Sequence, residues 1–530
     1  MSHLLASVRL HLRVGGDRPW LINGALVAGG GSRVGGTQVV MLGEVEARVE
    51  EMVRILHHHL GVGRGEVVQV VVPGNTEWYF PVLATWSLGG IISPSDPSLS
   101  SEVLAAMLEE TGARVVVCCL ATLPKVRRAR EVVGGRLAVL VMDASMDFPE
   151  GLAGEVSLAR LRADTSTEVA VPEVEVEEHA AFLVIWSSGT TGRPKGIQHG
   201  TNIVYKALAP WQEMQVLPVL QTTCFFHIGG ILMPLLTLVH GTQHVFLAPE
   251  DLEEGVEVMM VAAGASRAAT LICGSHHLIQ LAALRVAGAV RPVPSVTTAV
   301  PLGTNVYVGI AGDLRDKFPE LEKVMNLYGQ SEGGSVVAAS SDQRCLGSIT
   351  CPAARVVHPA TGAALGPGVV GEIMYRSETP MLGYLNNPEE NAKFFGADGF
   401  LHSGDFGHYD ADGCLFYDGR MKELIKYKNH HLYPNELEEI ILAHEAVEDA
   451  AVFGRQEPSV QELVTALVVK KPDVEVDKEE LQNAVDEKVD DHKKMRGGVY
   501  FVDKIPRNPQ GKILRRGLGE LIDFDIERKR

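Results

Sequence analysis

Short, continuous runs of valine and other apolar residues alternate along most of this chain with segments whose apolar positions recur at helical spacing. Val67 to Val72 and Val115 to Cys119 are of the first kind, which suits parallel strands covered on both faces. Ser101 to Thr111 is of the second, with Ser100 placed to cap its first turn and Gly112 to stop it. Strand–helix alternation on this scale predicts an α/β architecture of doubly wound subdomains. Beyond residue 365 the pattern shortens. Turn signals such as Asp410-Ala411-Asp412-Gly413 and Asp418-Gly419 separate brief strands, predicting a small β-barrel-like part. From Arg420 to Arg530 the chain is charged and mixes helices, Glu436 to His444 and Lys478 to Asp491, with strands at Ala450 to Phe453, Val464 to Val469 and Val499 to Val502. A boundary near Asp418-Gly419 therefore divides a large region, 1–418, from a small α+β region, 419–530.

The stretch from Val216 to Val239 holds no Asp, Glu, Lys or Arg. Pro218, His227, Gly229, Gly230 and Pro234 interrupt it, whereas a membrane-spanning helix needs about 20 mainly apolar residues. It reads as a buried strand, a loop and a helix. Residues 28–36, rich in glycine, read as a loop, and no internal repeat is visible.

With 530 residues the chain exceeds one ordinary core, and 46% hydrophobic with 22% charged residues fits a globular protein. Its formal net charge of -18 repels nucleic acid phosphates and anionic membranes. A nucleotide site would need positive charge of its own. The seven cysteines are odd in number and lack Cys-x-x-Cys spacing, which points away from zinc and disulfides and toward a reducing compartment. The C-terminal Arg528-Lys529-Arg530 is not the Ser-Lys-Leu peroxisomal address, and the first thirteen residues lack an apolar signal core. The cytoplasm and a monomer are the default expectations, with a mitochondrial transit peptide the lesser alternative.

One segment carries chemistry of its own. The apolar run Phe182 to Trp186 delivers Ser187-Ser188-Gly189-Thr190-Thr191-Gly192-Arg193-Pro194-Lys195-Gly196. Glycines let backbone N–H groups approach a phosphate, hydroxyls donate to its oxygens, and Lys195 adds a compact positive charge. A polar surface turn would have the same residue types, but it predicts neither the preceding strand nor the terminal lysine. The pattern is not the Walker type, for it lacks Gly-x-x-x-x-Gly-Lys-Ser/Thr. Gly366 to Gly371 fits the dinucleotide fingerprint in spacing only, since it leads into a strand-like run.

This loop resembles the signature of the adenylate-forming superfamily, which includes acyl-CoA synthetases, 4-coumarate–CoA ligases and beetle luciferases. The resemblance spans about Val67 to Arg516 and is nearest in flavour to the animal acyl-CoA synthetase and luciferase-like branch. It implies ATP, Mg²⁺ and coenzyme A as cofactor and co-substrates, a small-molecule carboxylic acid, and a mobile C-terminal domain. Tyr328-Gly329-Gln330-Ser331-Glu332 is similar to a family motif whose tyrosine packs on adenine, whose hydroxyl touches the α-phosphate and whose glutamate helps hold Mg²⁺. Thr298-Ala299-Val300-Pro301 stands where relatives place a strand beside adenine and the acyl group. Asp405, in His402-Ser403-Gly404-Asp405, resembles the ribose-binding aspartate, and Arg420 the arginine that joins it. Lys512, in Pro506 to Lys512, resembles the adenylation lysine, Lys426 a second lysine on the other face of the small domain, and His227 the histidine beside the acyl pocket and thiol route. The triple His57-His58-His59 and the pair His276-His277 read as structural.

Some positions depart from the family. Gly419 replaces the hinge aspartate, Asn429 replaces a glycine beside the pantetheine tunnel, and Thr201 stands near the place of a histidine that follows the phosphate loop. Gly229 falls where luciferases place an aromatic residue on luciferin, which argues against light emission. The resemblance implies a fatty or aryl acid–CoA ligase. An adenylating enzyme with another acceptor and a luciferase-like monooxygenase are the alternatives.

Overall fold

A computed structural model of the chain describes residues 17–27, 39–134, 137–148, 154–164, 174, 177, 179–187, 194–204, 206, 217–252, 255–284, 291–303, 306, 309–334, 336–341, 345–349, 353–428, 430–471, 474–508, 512–515 and 517–522. The elements around the site are, in chain order, β1 (Ala181–Ser187), β2 (Lys195–Gly200), β3 (Val219–Gln221), α1 (Ile228–Val239), β4 (Thr270–Gly274), α2 (Ser275–Ala283), β5 (Thr298–Leu302), β6 (Asn326–Gly329), α3 (Pro388–Phe394), β7 (Leu401–Tyr409), β8 (Leu415–Arg420), β9 (Ile425–Tyr427) and β10 (Gln461–Lys470).

Two large sheets form the α/β part. One has eight strands, six of them parallel, with β1 at the end of the parallel run and β2 folded back antiparallel beside it. The other has seven strands, and Lys323–Val324, β5, β4, β3, His244–Phe246 and Pro19–Asn23 lie parallel in it in that order. A shared layer made by the helices Leu42–Arg54, Tyr79–Ser87 and α1 fills the space between them, and its residues form one apolar core with strand residues from both sheets. Separate cores cover the outer faces. Each sheet is therefore wound on both sides, which is why its strands read as unbroken apolar runs. In the shared layer Trp86 stacks on Phe182 at 4.0 Å and donates its indole N–H to the Phe182 carbonyl at 3.0 Å. Such a pair contributes about 0.5–1.5 kcal/mol beyond the area it buries.

Local signals place several elements where the residue pattern puts them. Ser100 Oγ accepts from the Val103 N–H at 3.3 Å, and Gly112 ends that helix at φ 66°. The uncharged stretch before Val239 becomes β3, a loop and the twelve-residue α1, which holds Pro234. No helix among the described residues is long and apolar enough to cross a membrane. Other boundaries move. The helix expected over Lys478 to Asp491 ends at Asp486, whose carboxylate accepts from the Met495 N–H at 2.8 Å and turns the chain back. The strand expected over Ala450 to Phe453 spans Val447–Glu457, because it pairs residue by residue with β10 in a hairpin that carries its charged ends along.

Beyond the two sheets, a four-stranded antiparallel sheet holds Ala353–Val357, Gly371–Arg376, β7 and β8. A Gly347–Leu415 bridge ties it to the three-stranded sheet that begins with β6. Beside that bridge Cys345 and Cys414 form a disulfide, Cα atoms 6.2 Å apart. This corrects the reading of unpaired cysteines: the two are 69 residues apart in sequence, and the bridge, not their spacing, makes them neighbours. Cys118, Cys119, Cys224 and Cys273 are buried thiols. β8 runs through Asp418-Gly419 and remains paired to β7 up to Arg420. The α+β region follows, a five-stranded sheet with helices Pro434–Leu442 and Lys478–Asp486 around its own core.

Candidate active site

Parallel sheets bind ligands beyond the carboxyl ends of their strands, and most of the sequence-predicted residues gather there. β1 ends at Ser187, whose hydroxyl accepts from the Lys195 N–H at 3.3 Å where β2 begins. The two residues are the last register partners of the antiparallel pair, so they hold together the two ends of the segment between them. Ser188, Gly189, Thr190, Thr191 and Gly192 lie outside the described residues. Asn429 lies outside them as well.

Lys195 pairs with Glu390 on α3, and its ammonium stands 5.3 Å from the centre of the Tyr384 ring. Hydrogen bonds from Lys195 and then Lys393 hold the Glu390 carboxyl down to about 2. The Tyr384 hydroxyl donates to Glu332 Oε1 at 2.9 Å. Burial, and then the Glu332 charge, raise the tyrosine well above its ordinary value. Glu390, Lys195, Tyr384 and Glu332 thus form one wall. Only Lys195 and Glu332 were singled out from sequence. Tyr384 and Glu390 sit in Gly383-Tyr384-Leu385-Asn386-Asn387-Pro388-Glu389-Glu390, a turn-and-helix signal that carries no chemical signature by itself.

The second cluster surrounds Asp405. The Tyr328 hydroxyl donates to Asp405 Oδ2 at 2.8 Å and the Gln330 amide donates to the same oxygen at 2.9 Å. Arg420 Nε makes an ion pair with Asp405 Oδ1 at 3.0 Å. Burial raises the Asp405 carboxyl above its ordinary range, against the pull of Arg420 and the hydrogen bond from Tyr328. Gly329 closes β6, and Ser331 and Glu332 lie in the turn that follows. His199, buried on β2, rests against the Ser331 backbone, and burial lowers it to about 4. It lies two residues before Thr201, the residue near the place of the histidine that relatives carry.

Lys512 reaches this cluster from the last segment of the chain. Its N–H donates to Asn508 Oδ1 at 2.9 Å, and the Asn508 N–H returns to its carbonyl at 2.9 Å, which closes the loop that carries it. Burial and then the Arg420 charge push the ammonium below its ordinary value, opposed by Asp405, Glu332 and Glu423. Lys512 also acts on His227, which caps the start of α1. Burial first, then the lysine, lower that imidazole to about 3. Nucleotide-side and acid-side candidates therefore meet at Lys512. Lys426 stays apart: it is exposed on β9 between buried Ile425 and Tyr427.

Thr298, Ala299, Val300 and Pro301 lie along β5. Val300 joins Val219 and Ile272 in an apolar cluster with Met233 and Leu302, while Ala299 faces the opposite core. Among the described residues no three His, Cys, Asp or Glu side chains gather to hold a metal ion. Glu332, whose Oε1 accepts from the Tyr384 hydroxyl at 2.9 Å, is a single carboxylate, which fits Mg²⁺, an ion that keeps waters and takes one or two carboxylates plus phosphate oxygens.

A family model described as "AMP-binding enzyme" matches residues 23–385, and one described as "AMP-binding enzyme C-terminal domain" matches residues 436–512. A 4-coumarate–CoA ligase of Oryza sativa subsp. japonica is 28% identical over 483 residues, covering 87% of this chain and 83% of the relative. Among solved structures, the anthranilate CoA ligase AuaEII in complex with anthranoyl-AMP superposes with a TM-score of 0.84 at 19% identity, covering 99% of this chain and 98% of the other. The amide bond synthetase McbA from Marinactinospora thermotolerans gives 0.79 at 22% identity, covering 98% and 99%.

Proposed function

The chain belongs to the AMP-binding enzyme family, within the adenylate-forming superfamily, and on that premise we propose that it is an ATP-dependent carboxylic acid–CoA ligase. A carboxylate is a poor acyl donor because its oxygen leaves badly. Attack of that oxygen on the α-phosphorus of ATP expels pyrophosphate and makes acyl-AMP. The thiol of coenzyme A then attacks the acyl carbon and expels AMP.

Acid and α-phosphate are both anionic, so positioning and charge supply most of the catalysis. Lys512 would hold the acid carboxylate against the α-phosphate. Lys195 and the loop hydroxyls from Ser187 to Thr191 would hold the outer phosphates. Asp405 with Arg420 would take the ribose, while Tyr328, Gly329 and β5 frame the base. Glu332 would hold Mg²⁺ together with phosphate oxygens, adding positive charge beside the departing pyrophosphate.

The observation that carries this reading is the convergence on Lys512: a residue near the chain's end lies within electrostatic reach of Asp405, Arg420, Glu332 and His227. The chain would divide near Asp418-Gly419, and the small domain would turn to bring Lys426 forward for the thiol step. The apolar cluster of Val219, Ile272 and Val300 favours a fatty or aryl acid.

The test is release of AMP and pyrophosphate across fatty and aromatic acids, with and without CoA, products identified by mass spectrometry. CoA-dependent acyl-CoA from one acid class is the expected result. Acyl-AMP accumulating regardless of CoA would assign another acceptor, as in an amide-forming relative. No pyrophosphate from any acid would overturn the reading.

A further inference from the structure

His276 and His277, read from sequence as structural, open α2 directly at the carboxyl end of β4. Both rings fold back over Gly274. A Cβ placed on that glycine would stand 2.8 Å from His276 Nδ1, too close for the ring as it lies, and 3.6 Å from His277 Nδ1, an ordinary contact. The rings lie 3.8 Å apart, inclined at 43°. His277 Nδ1 is 3.5 Å from the Thr222 hydroxyl, which follows β3 and precedes His227 by five residues. Gly229, on the same loop-to-helix segment, leaves room for a side chain, since a Cβ built on it would meet only Leu302 Cδ1, at 4.0 Å. The imidazole pair thus stands at the carboxyl end of β4, against the segment that follows β3 and leads to His227, the histidine that the resemblance places beside the acyl pocket.

We propose that His277, backed by His276, is a specificity-determining group of the acyl pocket, selecting acids that carry a neutral hydrogen-bonding oxygen remote from the reacting carboxylate. The proposal rests on the ligase reading above and names the substrate class for it. A hydroxyl or carbonyl on an otherwise apolar acid is the matching chemistry. With Nδ1 turned to Thr222, Nε2 is the nitrogen that meets the substrate oxygen. Burial lowers His276 to about 3 and His277 to about 4, the Arg507 charge adding to both and the neighbouring imidazole to His276. The rings are therefore uncharged at neutral pH, each with one donor and one acceptor nitrogen. An uncharged ring can satisfy a hydroxyl or carbonyl but cannot neutralise a second carboxylate, and the Arg507 charge nearby is already paired with Asp449 at 2.7 Å, so dicarboxylic acids are disfavoured. A site with a hydrogen-bonding group also rejects the analogue that leaves it unpaired.

The experiment compares kcat/KM for pyrophosphate release on matched acids: 4-hydroxycinnamate against cinnamate, 4-hydroxybenzoate against benzoate, and ω-hydroxydecanoate against decanoate and decanedioate. The wild-type chain should prefer the oxygenated member of at least one pair by about tenfold, with the diacid last. His277→Leu should abolish that preference while turning over the unsubstituted acid, and His277→Gln, which keeps a hydrogen-bonding group, should retain part of it. Preference for the unsubstituted acid in every pair overturns the proposal without any variant. So does a preference that survives in a folded His277→Leu. Pyrophosphate release with unselective ratios sinks this proposal alone, whereas no release from any acid sinks the ligase reading with it.

Discussion

Arg420 Nε stands 3.0 Å from Asp405 Oδ1, and the two residues are register partners on β8 and β7. The pairing of the strands, not the length of the side chains, brings the charges together. The other carboxylate oxygen is taken by Tyr328 and Gln330, so one aspartate gathers residues from two sequence motifs besides its own.

Asp405→Asn keeps the shape and removes the charge. It should raise the KM for ATP at least tenfold, and the unpaired Arg420 should lower folding stability by about 1–3 kcal/mol. Isothermal titration with ATP and chemical denaturation check the two effects separately. Unchanged ATP affinity would take Asp405 out of the nucleotide site.

Lys512→Ala should abolish adenylate formation and spare thioester formation from supplied acyl-AMP, while Lys426→Ala should slow mainly the second step. Equal loss of both half-reactions in the first variant would sink the division of labour. Because burial and Arg420 lower the Lys512 ammonium, adenylation should fall off with rising pH below the about 10.4 of a free lysine. Lys512→Arg should move that falling limb upward.

Glu390 holds Lys195 where phosphates would need it. Glu390→Gln should therefore lower the KM for ATP about two- to fivefold and leave kcat within twofold, the size of a partly exposed ion pair. Since the Glu390 carboxyl titrates near about 2, the effect should be equal at pH 6 and pH 8. A raised KM would instead make Glu390 a residue that positions the lysine for ATP.

His244 is fully buried on its strand, and among the described residues neither ring nitrogen has a hydrogen-bond partner. Burial lowers it to about 3. Between the unfolded value of about 6.5 and that folded value, the unfolded chain binds a proton that the native chain refuses. Stability is thus complete above about pH 6.5 and falls by about 1.4 kcal/mol for each unit of acidification in this window. His244→Leu should remove that part of the slope in melting temperature from pH 7 to pH 5. An unchanged slope would assign the acid sensitivity to other groups.

The parts of the fold legible in sequence are those specified by neighbours in the chain. Ser100 and Gly112 bracket their helix with local hydrogen bonds and a left-handed turn, and Val67–Val71 reads as buried because both faces are covered. Asp405, Arg420 and Lys512 were legible as separate motifs, but their meeting depends on the β7–β8 register and on where the last segment docks. Glu390 and Tyr384 carry no motif, because their roles come from β2 lying beside Gly383–Tyr384. The histidine pair gave no signal either, as its meaning depends on the missing Cβ of Gly274.

The bond between Cys345 and Cys414 makes residues 345–414 a covalent ring, and that ring contains the exposed turn at residues 358–370. A protease that nicked this turn once would leave two polypeptides still joined. The cut protein would migrate as one species without reductant and as two with it, and its halves would separate only after both the fold and the bond were undone.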